Sequence, residues 1–246
     1  MKIVIDIPEH FYEYETGTDH GVLYLLNSDG VYSNGVAWNG LTGVTESPSG
    51  AEETALYADN IKYLNLISSE NLNLSIECYD YPPEIDECLG KRVIAAGVTI
   101  GDQATKYFGF SYRTLIGNDT EGNSYSYDIH LVFTCLPTPP EKNSTTNSSN
   151  PSALTKTLEV STLPVYVSEN KTTCKITFRR RKFVEAGLRN IFDALEKILY
   201  GTDTSDPRVP EFTEISDMFA YHPYIQDSAG NFILDSSGNR LESYVI

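Results

Sequence analysis

The sequence predicts a mainly β protein: an antiparallel β-sandwich or barrel-like sheet with one packed α-helix and long loops. Two observations lead there. Several segments alternate apolar and polar residues with a period of two, which puts one set on a buried face and the other in water. Gly, Asn and Asp punctuate those segments as turns, the usual pattern of antiparallel sheets. A single stretch, residues 183–200, repeats its apolar residues at helical spacing.

Taken in order, Ile3, Ile5 and Ile7 alternate, and Val22–Leu26 is a short apolar run. Leu72, Leu74, Ile76 and Cys78 alternate with Asn73, Ser75 and Glu77. Pro83–Cys88 reads as a short helical turn. Val93–Ile100 and Tyr107–Thr114 are further strands. Tyr125, Tyr127, Ile129, Leu131 and Phe133 then alternate with Ser126, Asp128 and His130. Thr157–Thr162 and Thr172–Phe178 complete the set.

Between them, Pro137–Pro151 contains no aliphatic residue and cannot help bury a core. It is expected to be a flexible surface loop, over 137–153, rather than a domain boundary. In Phe183–Tyr200, Val184, Leu188, Ile191, Leu195 and Ile198 form one stripe, with Gly201 at C′. That face suits packing on a sheet of the same subunit; docking on a neighbouring subunit is the alternative. The 219–246 extension repeats Asp-Ser-x-Gly-Asn at Asp227 and Asp235, which is hairpin-turn chemistry. The spacing of those two acids matches no calcium loop.

Composition narrows the function. The chain of 246 residues has net charge −16, and residues 1–134 hold 20 acidic and 6 basic residues, a net of −14. Affinity for phosphates comes largely from Lys and Arg, so this balance argues against ordinary nucleic-acid binding. Cys78, Cys88, Cys135 and Cys174 form no CxxC pair, and His10, His20, His130 and His222 are equally scattered. No phosphate loop, dinucleotide fingerprint or nucleophile elbow occurs. The expectation is a protein without catalytic residues, metal or cofactor. The N-terminus lacks the pattern of a signal peptide, and no segment reaches the ~20 apolar residues of a membrane span.

Two features remain. Gly35–Asn60 is rich in Gly, Ser, Thr and Pro and holds the sole tryptophan, Trp38, so it reads as a long loop with a function. Arg179, Arg180, Arg181 and Lys182 are four consecutive cations in an acidic chain. They suit either a solvated strand end or the acidic surface of an adjacent subunit.

The block Val36–Glu52, continued by ALYADNIKYLNL (55–66), IECYDYPPEIDEC (76–88), GVTIG (97–101) and YRTLIGND (112–119), resembles the major tail proteins. These are the tail-tube subunits of long-tailed, non-contractile bacteriophages and related prophages. The resemblance runs from about Tyr14 to Met218 and returns in Leu195–Asp203 and Pro207–Pro210. Pro137–Ser152 and Ala220–Ile246 depart from the pattern.

The resemblance implies a tail-tube β domain over 1–218, followed by the 219–246 extension. It implies hexameric rings that stack into a hollow tube through which genomic DNA passes without tight binding. Other implied partners are tape-measure, tail-end and terminator proteins, with assembly in the host cytoplasm and residence in the virion tail. The 35–60 loop would contact the neighbouring ring, with Trp38, Asn39, Glu46, Glu52, Glu53 and Asp59 as its candidate residues. Glu70, Glu77 and Asp128, on the polar faces of alternating strands, are candidates for an acidic lumen. Two other readings stay open: a tail-surface module that binds carbohydrate or a receptor, and the tube of a contractile injection machine.

Overall fold

The computed structural model describes residues 13–50, 53–67, 70–119, 122–142, 146, 153–168, 171–180 and 186–219. Every strand pairing among them is antiparallel. The strands predicted at Ile3–Ile7, the turns at Asp227 and Asp235 and most of the 137–153 loop lie outside the described residues. The chain divides into two compact units, Met1–Val209 and Pro210–Ile246. The second contributes one described helix, α3 (Phe212–Met218).

The main sheet of the first unit contains β1 (Glu13–Leu25), β2 (Val36–Trp38), β3 (Leu41–Gly50), β6 (Glu70–Cys78), β9 (Phe108–Asn118), β10 (Gly122–Pro137), β11 (Lys156–Thr162) and β14 (Lys175–Arg180). Its path is β2-β1-β9-β10-β11-β6-β3, with β14 paired to β10 as a branch. β2 and β3 stand at opposite ends of this path, yet only Asn39 and Gly40 join them. The sheet must therefore curl until its ends approach. Gly21 of β1 records the contact, since a Cβ there would lie 2.5 Å from Leu41 Cδ1. The result is barrel-like.

The concave face holds Leu23, Trp38, Leu74, Ile76, Phe108, Phe110, Tyr112, Val132, Leu158 and Val160. A short helix, α1 (Ile85–Cys88), adds Ile85 and Cys88 to that core where the helical turn was expected. The alternation predicted in β6 holds: Leu74, Ile76 and Cys78 are buried and Glu77 is exposed. In β10 the set Tyr125, Ile129, Leu131 and Phe133 faces the opposite way, towards α2 (Ala186–Tyr200). The helix buries Phe192, Leu195 and Leu199, and Tyr24 Oη donates to the Leu199 carbonyl at 2.7 Å. The predicted helix therefore packs on its own subunit's sheet, and Gly201 ends it at φ +78°.

β10 and β11 pair through Cys135–Pro137 and Val160–Thr162, so these two strands lie side by side in one sheet.

One expectation fails. Residues 35–60 are not a loop but contain β2, β3 and β4 (Glu53–Ala58). Gly, Ser and Pro are poor strand formers, but β3 is an edge strand paired to β6 alone. Pro48, opposite Leu72, is the kind of residue that sheets confine to edge strands. β4 and β5 (Ile61–Ile67) then prolong β3 and β6 into a two-stranded hairpin. Two smaller hairpins leave the barrel elsewhere: β7 (Arg92–Ala95) with β8 (Val98–Ile100), and β12 (Val165–Ser168) with β13 (Lys171–Thr173).

Candidate functional site

Three surfaces stand out, and the first is the β4–β5 hairpin. Asp59 and Asn60 form its tip at φ +51° and +64°, the left-handed pair that a tight hairpin turn requires and that Asx residues tolerate. Leu56, Tyr57, Ile61, Tyr63, Leu64 and Leu66 are all exposed, Tyr57 and Tyr63 at 71%. Soluble monomers rarely show so contiguous an apolar surface unless it binds something.

The second surface is the convex face of β3, β6 and β11. Alternation turns Leu158 and Val160 of β11 inward with Leu74 and Ile76 of β6, so the intervening residues point out. Register sets Gly43 opposite Glu77, Thr45 opposite Ser75, and Ser47 opposite Asn73. On the other side Glu77 meets Thr157, and Ser75 meets Glu159. Ser75 Oγ donates to Glu159 Oε1 at 2.7 Å. Hydroxyls and amides fill this face, Glu77 and Glu159 are its charges, and no Lys or Arg interrupts those positions. Glu159 was missed in the sequence because its strand was read without assigning faces.

The third is a polar cleft of about 410 Å³ on the concave side, lined by Glu46, Tyr112, Thr114, Asp128, His130, Lys175 and Arg179 among others. Glu46 accepts from both Tyr112 Oη and Lys175 Nζ, tying β3 to β9 and β14. Burial opposes ionisation of Glu46, but the hydrogen bonds from Lys175 and Tyr112 outweigh it and hold the carboxyl below its usual range. His130 stacks on Tyr112 with ring centroids 4.6 Å apart. Its Nε2 lies 3.0 Å from Thr114 Oγ1 and its Nδ1 3.2 Å from Thr177 Oγ1. Burial, then nearby Lys175, push its pKa down to about 4. Two of its charge pairs, Glu46 with Lys175 and Asp128 with Arg179, close within the cleft, which describes an internal strut. Among the described residues, no group of His, Cys, Asp or Glu could hold a metal ion. No helix there is long and apolar enough to cross a membrane.

The expected site residues divide accordingly. Trp38 is a core anchor, 1% exposed, and its indole Nε1 donates to the Asp80 carbonyl at 3.3 Å. Glu46 turns into the cleft. Both side chains are engaged within their own chain. Asn39, Glu53 and Asp59 are exposed, Glu53 paired with Lys62. Glu52 lies outside the described residues, as does the side chain of Glu70.

Glu77 and Asp128 do not share a face. Asp128 lies with Val132 on the concave side, 15% exposed and 3.5 Å from Arg179. Asp128 therefore lines the polar cleft beside Arg179, apart from Glu77, whereas Glu159 lies on the same face as Glu77. Of the basic cluster, Arg180 stays within its own chain, bound to Tyr127 Oη and 3.7 Å from Asp193. Arg179 is 68% exposed, and Arg181 and Lys182 lie outside the described residues.

No family model matches the chain, and neither does any curated protein. Two solved structures are similar at a distance. One is a chain of the cryo-EM structure of the anti-feeding prophage (AFP) baseplate, 6-fold symmetrised. It is 12% identical, covering 65% of this chain and 92% of that one, at a TM-score of 0.35. The other belongs to the cryo-EM structure of an extracellular contractile injection system, the PVC sheath-tube complex in its extended state. It is 11% identical, covering 65% and 89%, at a TM-score of 0.29. Likeness at this level assigns no function.

Proposed function

We propose that this protein is a structural tail-tube subunit of a bacteriophage: rings of six copies stack into a hollow tube that conducts DNA, with no catalytic residue and no cofactor. The observation that carries the reading is the β4–β5 hairpin. It sits within the block that resembles the major tail proteins and projects an apolar surface that the monomer leaves uncovered. A two-stranded ribbon is marginal in water on its own, and a neighbouring ring would supply its missing packing. Assembly would likewise cover the edge of β3, which is otherwise an aggregation hazard.

The convex β3–β6–β11 face is our candidate for the channel wall. Duplex DNA carries one negative charge per ~1.7 Å, and basic walls would bind it in a strongly salt-dependent way. A wall of hydroxyls, amides and the carboxylates of Glu77 and Glu159 lets it slide. Negative-stain electron microscopy of the concentrated, untagged protein across a range of salt tests the reading. Rings or hollow tubes are expected; single compact particles at every concentration, even with tail-end proteins added as initiators, would overturn it.

A further inference from the structure

The β7–β8 hairpin is a second apolar ribbon. Val93, Ile94, Val98 and Ile100 are exposed at 68%, 60%, 48% and 36%. Its base is held firmly. Gln103 N–H donates to the Gly90 carbonyl at 2.9 Å, and a Cβ on Gly90 would fall 2.6 Å from the Gln103 carbonyl oxygen. Lys91 pairs with Asp86 at 2.7 Å and Lys106 with Glu87 at 2.6 Å, fastening both roots to the α1 segment. Bare aliphatic side chains on a ribbon whose base is tied to the α1 segment are the arrangement of a docking element.

Charge identifies the partner. Of the six cations in residues 1–134, Lys62, Lys91, Lys106 and Arg113 each hold a carboxylate, and Lys2 lies outside the described residues. Arg92 is exposed, opposite Ile100, with no ion pair among the described residues. The ribbon therefore combines aliphatic surface with one uncommitted cation. Its complement is an apolar surface with an uncommitted acid, and this chain carries one. The β4–β5 hairpin presents Leu56, Tyr57, Tyr63 and Leu66, its Glu53 is neutralised by Lys62, and Asp59 at the tip has no ion pair among the described residues. The two hairpins do not cover each other within one copy, as their exposures show.

We propose that the β7–β8 hairpin of one copy packs against the β4–β5 hairpin of a second copy, with Arg92 facing Asp59. The proposal rests on the self-assembly reading above and names what the projecting hairpin meets.

A charge swap tests it. Wild type, R92E, D59R, the double variant R92E/D59R and the aliphatic variant V93S/I94S are compared by sedimentation velocity and electron microscopy over a concentration series. All the substituted side chains are exposed, so circular dichroism should match the wild type. The two charge reversals and V93S/I94S should raise the concentration needed for assembly by about tenfold or more. The double reversal should return it to within about threefold of wild type. If wild type assembles and the variants assemble equally well, this pairing is wrong and the tube reading stands. If wild type never assembles even with tail-end proteins added as initiators, both fall. Flotation of wild type with phosphatidylglycerol vesicles, lost in V93S/I94S while assembly is unchanged, would assign the ribbon to lipid and overturn the pairing.

Discussion

Tyr32 Oη accepts the backbone N–H of Thr134 at 3.1 Å, and this bond sits where β10 changes partners. Before it, Tyr127–Val132 pair with β14; after it, Cys135–Pro137 pair with β11. At the junction Thr134 has φ +47°, a left-handed conformation rare for a β-branched residue. Its carbonyl accepts from Leu163 N–H at 3.1 Å, and the preceding Phe133 N–H donates to Cys174 O at 2.9 Å. The strain marks the bulge that splits the sheet into its barrel and its branch.

Removing the Tyr32 hydroxyl isolates this donor. Tyr32→Phe should cost about 1–2 kcal/mol by leaving the Thr134 N–H without its acceptor. Thr134→Gly should stay within about 1 kcal/mol of wild type, because relief of the left-handed strain offsets the greater backbone entropy of Gly. Urea denaturation measures both. A larger loss in Thr134→Gly than in Tyr32→Phe would mean that the Thr side chain, not the backbone bond, holds the junction.

What could be read from the sequence followed from periodicity. Leu74, Ile76 and Cys78 declared one buried face of β6, and the stripe of Val184, Leu188, Ile191, Leu195 and Ile198 declared α2, because each pattern depends on local geometry alone. The β3 strand was hidden because its Gly43, Pro48 and Gly50 are tolerated only on an edge, and edge position is a property of the whole sheet. Faces failed for the same reason. Alternation told that Glu77 and Asp128 lie opposite their apolar neighbours, but β6 turns its apolar set into the barrel and β10 turns its own towards α2. The same rule therefore sent one carboxylate outward and the other inward. Trp38 and Glu46 were expected at a neighbouring ring because a loop was expected; strand pairing fixed both inside.

Barrel closure is sensitive to one hydrogen-sized gap. At Gly21 an added Cβ would meet Leu41 Cδ1 at 2.5 Å and the Trp38 carbonyl oxygen at 2.9 Å. Leu41 can rotate, but the backbone oxygen cannot move without shifting β2. Gly21→Ala should therefore destabilise by about 1–3 kcal/mol, as overpacking does. Thermal unfolding that matches wild type would show that the two ends of the sheet approach less closely than 2.9 Å implies.

Acid should weaken the cleft before it reaches the carboxylates. His130 titrates near 4 in the folded chain against 6.5 in an open one. Between these values the unfolded state binds more protons, so stability falls as pH drops from 6.5 towards 4. Lys175 and Arg179 face the imidazole and resist its charging, while Glu46 favours it only partly. His130→Asn, which cannot charge, should flatten that slope. Urea midpoints at pH 7 and pH 5 give the comparison, and an equal fall in both proteins would remove His130 from the account. The lowered Glu46 carboxyl contributes at still lower pH, losing its stabilisation as it protonates below the ordinary carboxylate range.

The projecting hairpin separates folding from assembly. Leu56, Tyr57 and Tyr63 are exposed, so replacing all three by Ser should move monomer stability by no more than about 1 kcal/mol. The same protein should fail to form tubes under conditions where wild type does. Tubes of normal length would remove the hairpin from the stacking contact. Loss of the monomer fold would instead show that it supports the barrel.

The convex face makes the sharpest functional demand, because its charge can be reversed without touching the core. Glu77 is exposed, and among the described residues Glu159 bonds the hydroxyl of Ser75 at 2.7 Å. Glu77→Lys with Glu159→Lys should leave tubes intact while placing two cations per subunit on the wall, twelve in a ring of six. When ~6–10 of them contact phosphates at a time, binding falls by ~10³–10⁵ between 50 and 200 mM salt. DNA ejection by phage carrying the double variant should therefore be slow at low salt and recover as salt rises. Asp128→Lys is the internal comparison: its carboxylate lies on the concave side beside Arg179, so it should harm folding rather than ejection. Normal ejection at low salt from intact double-variant tubes would show that this face is not the channel wall.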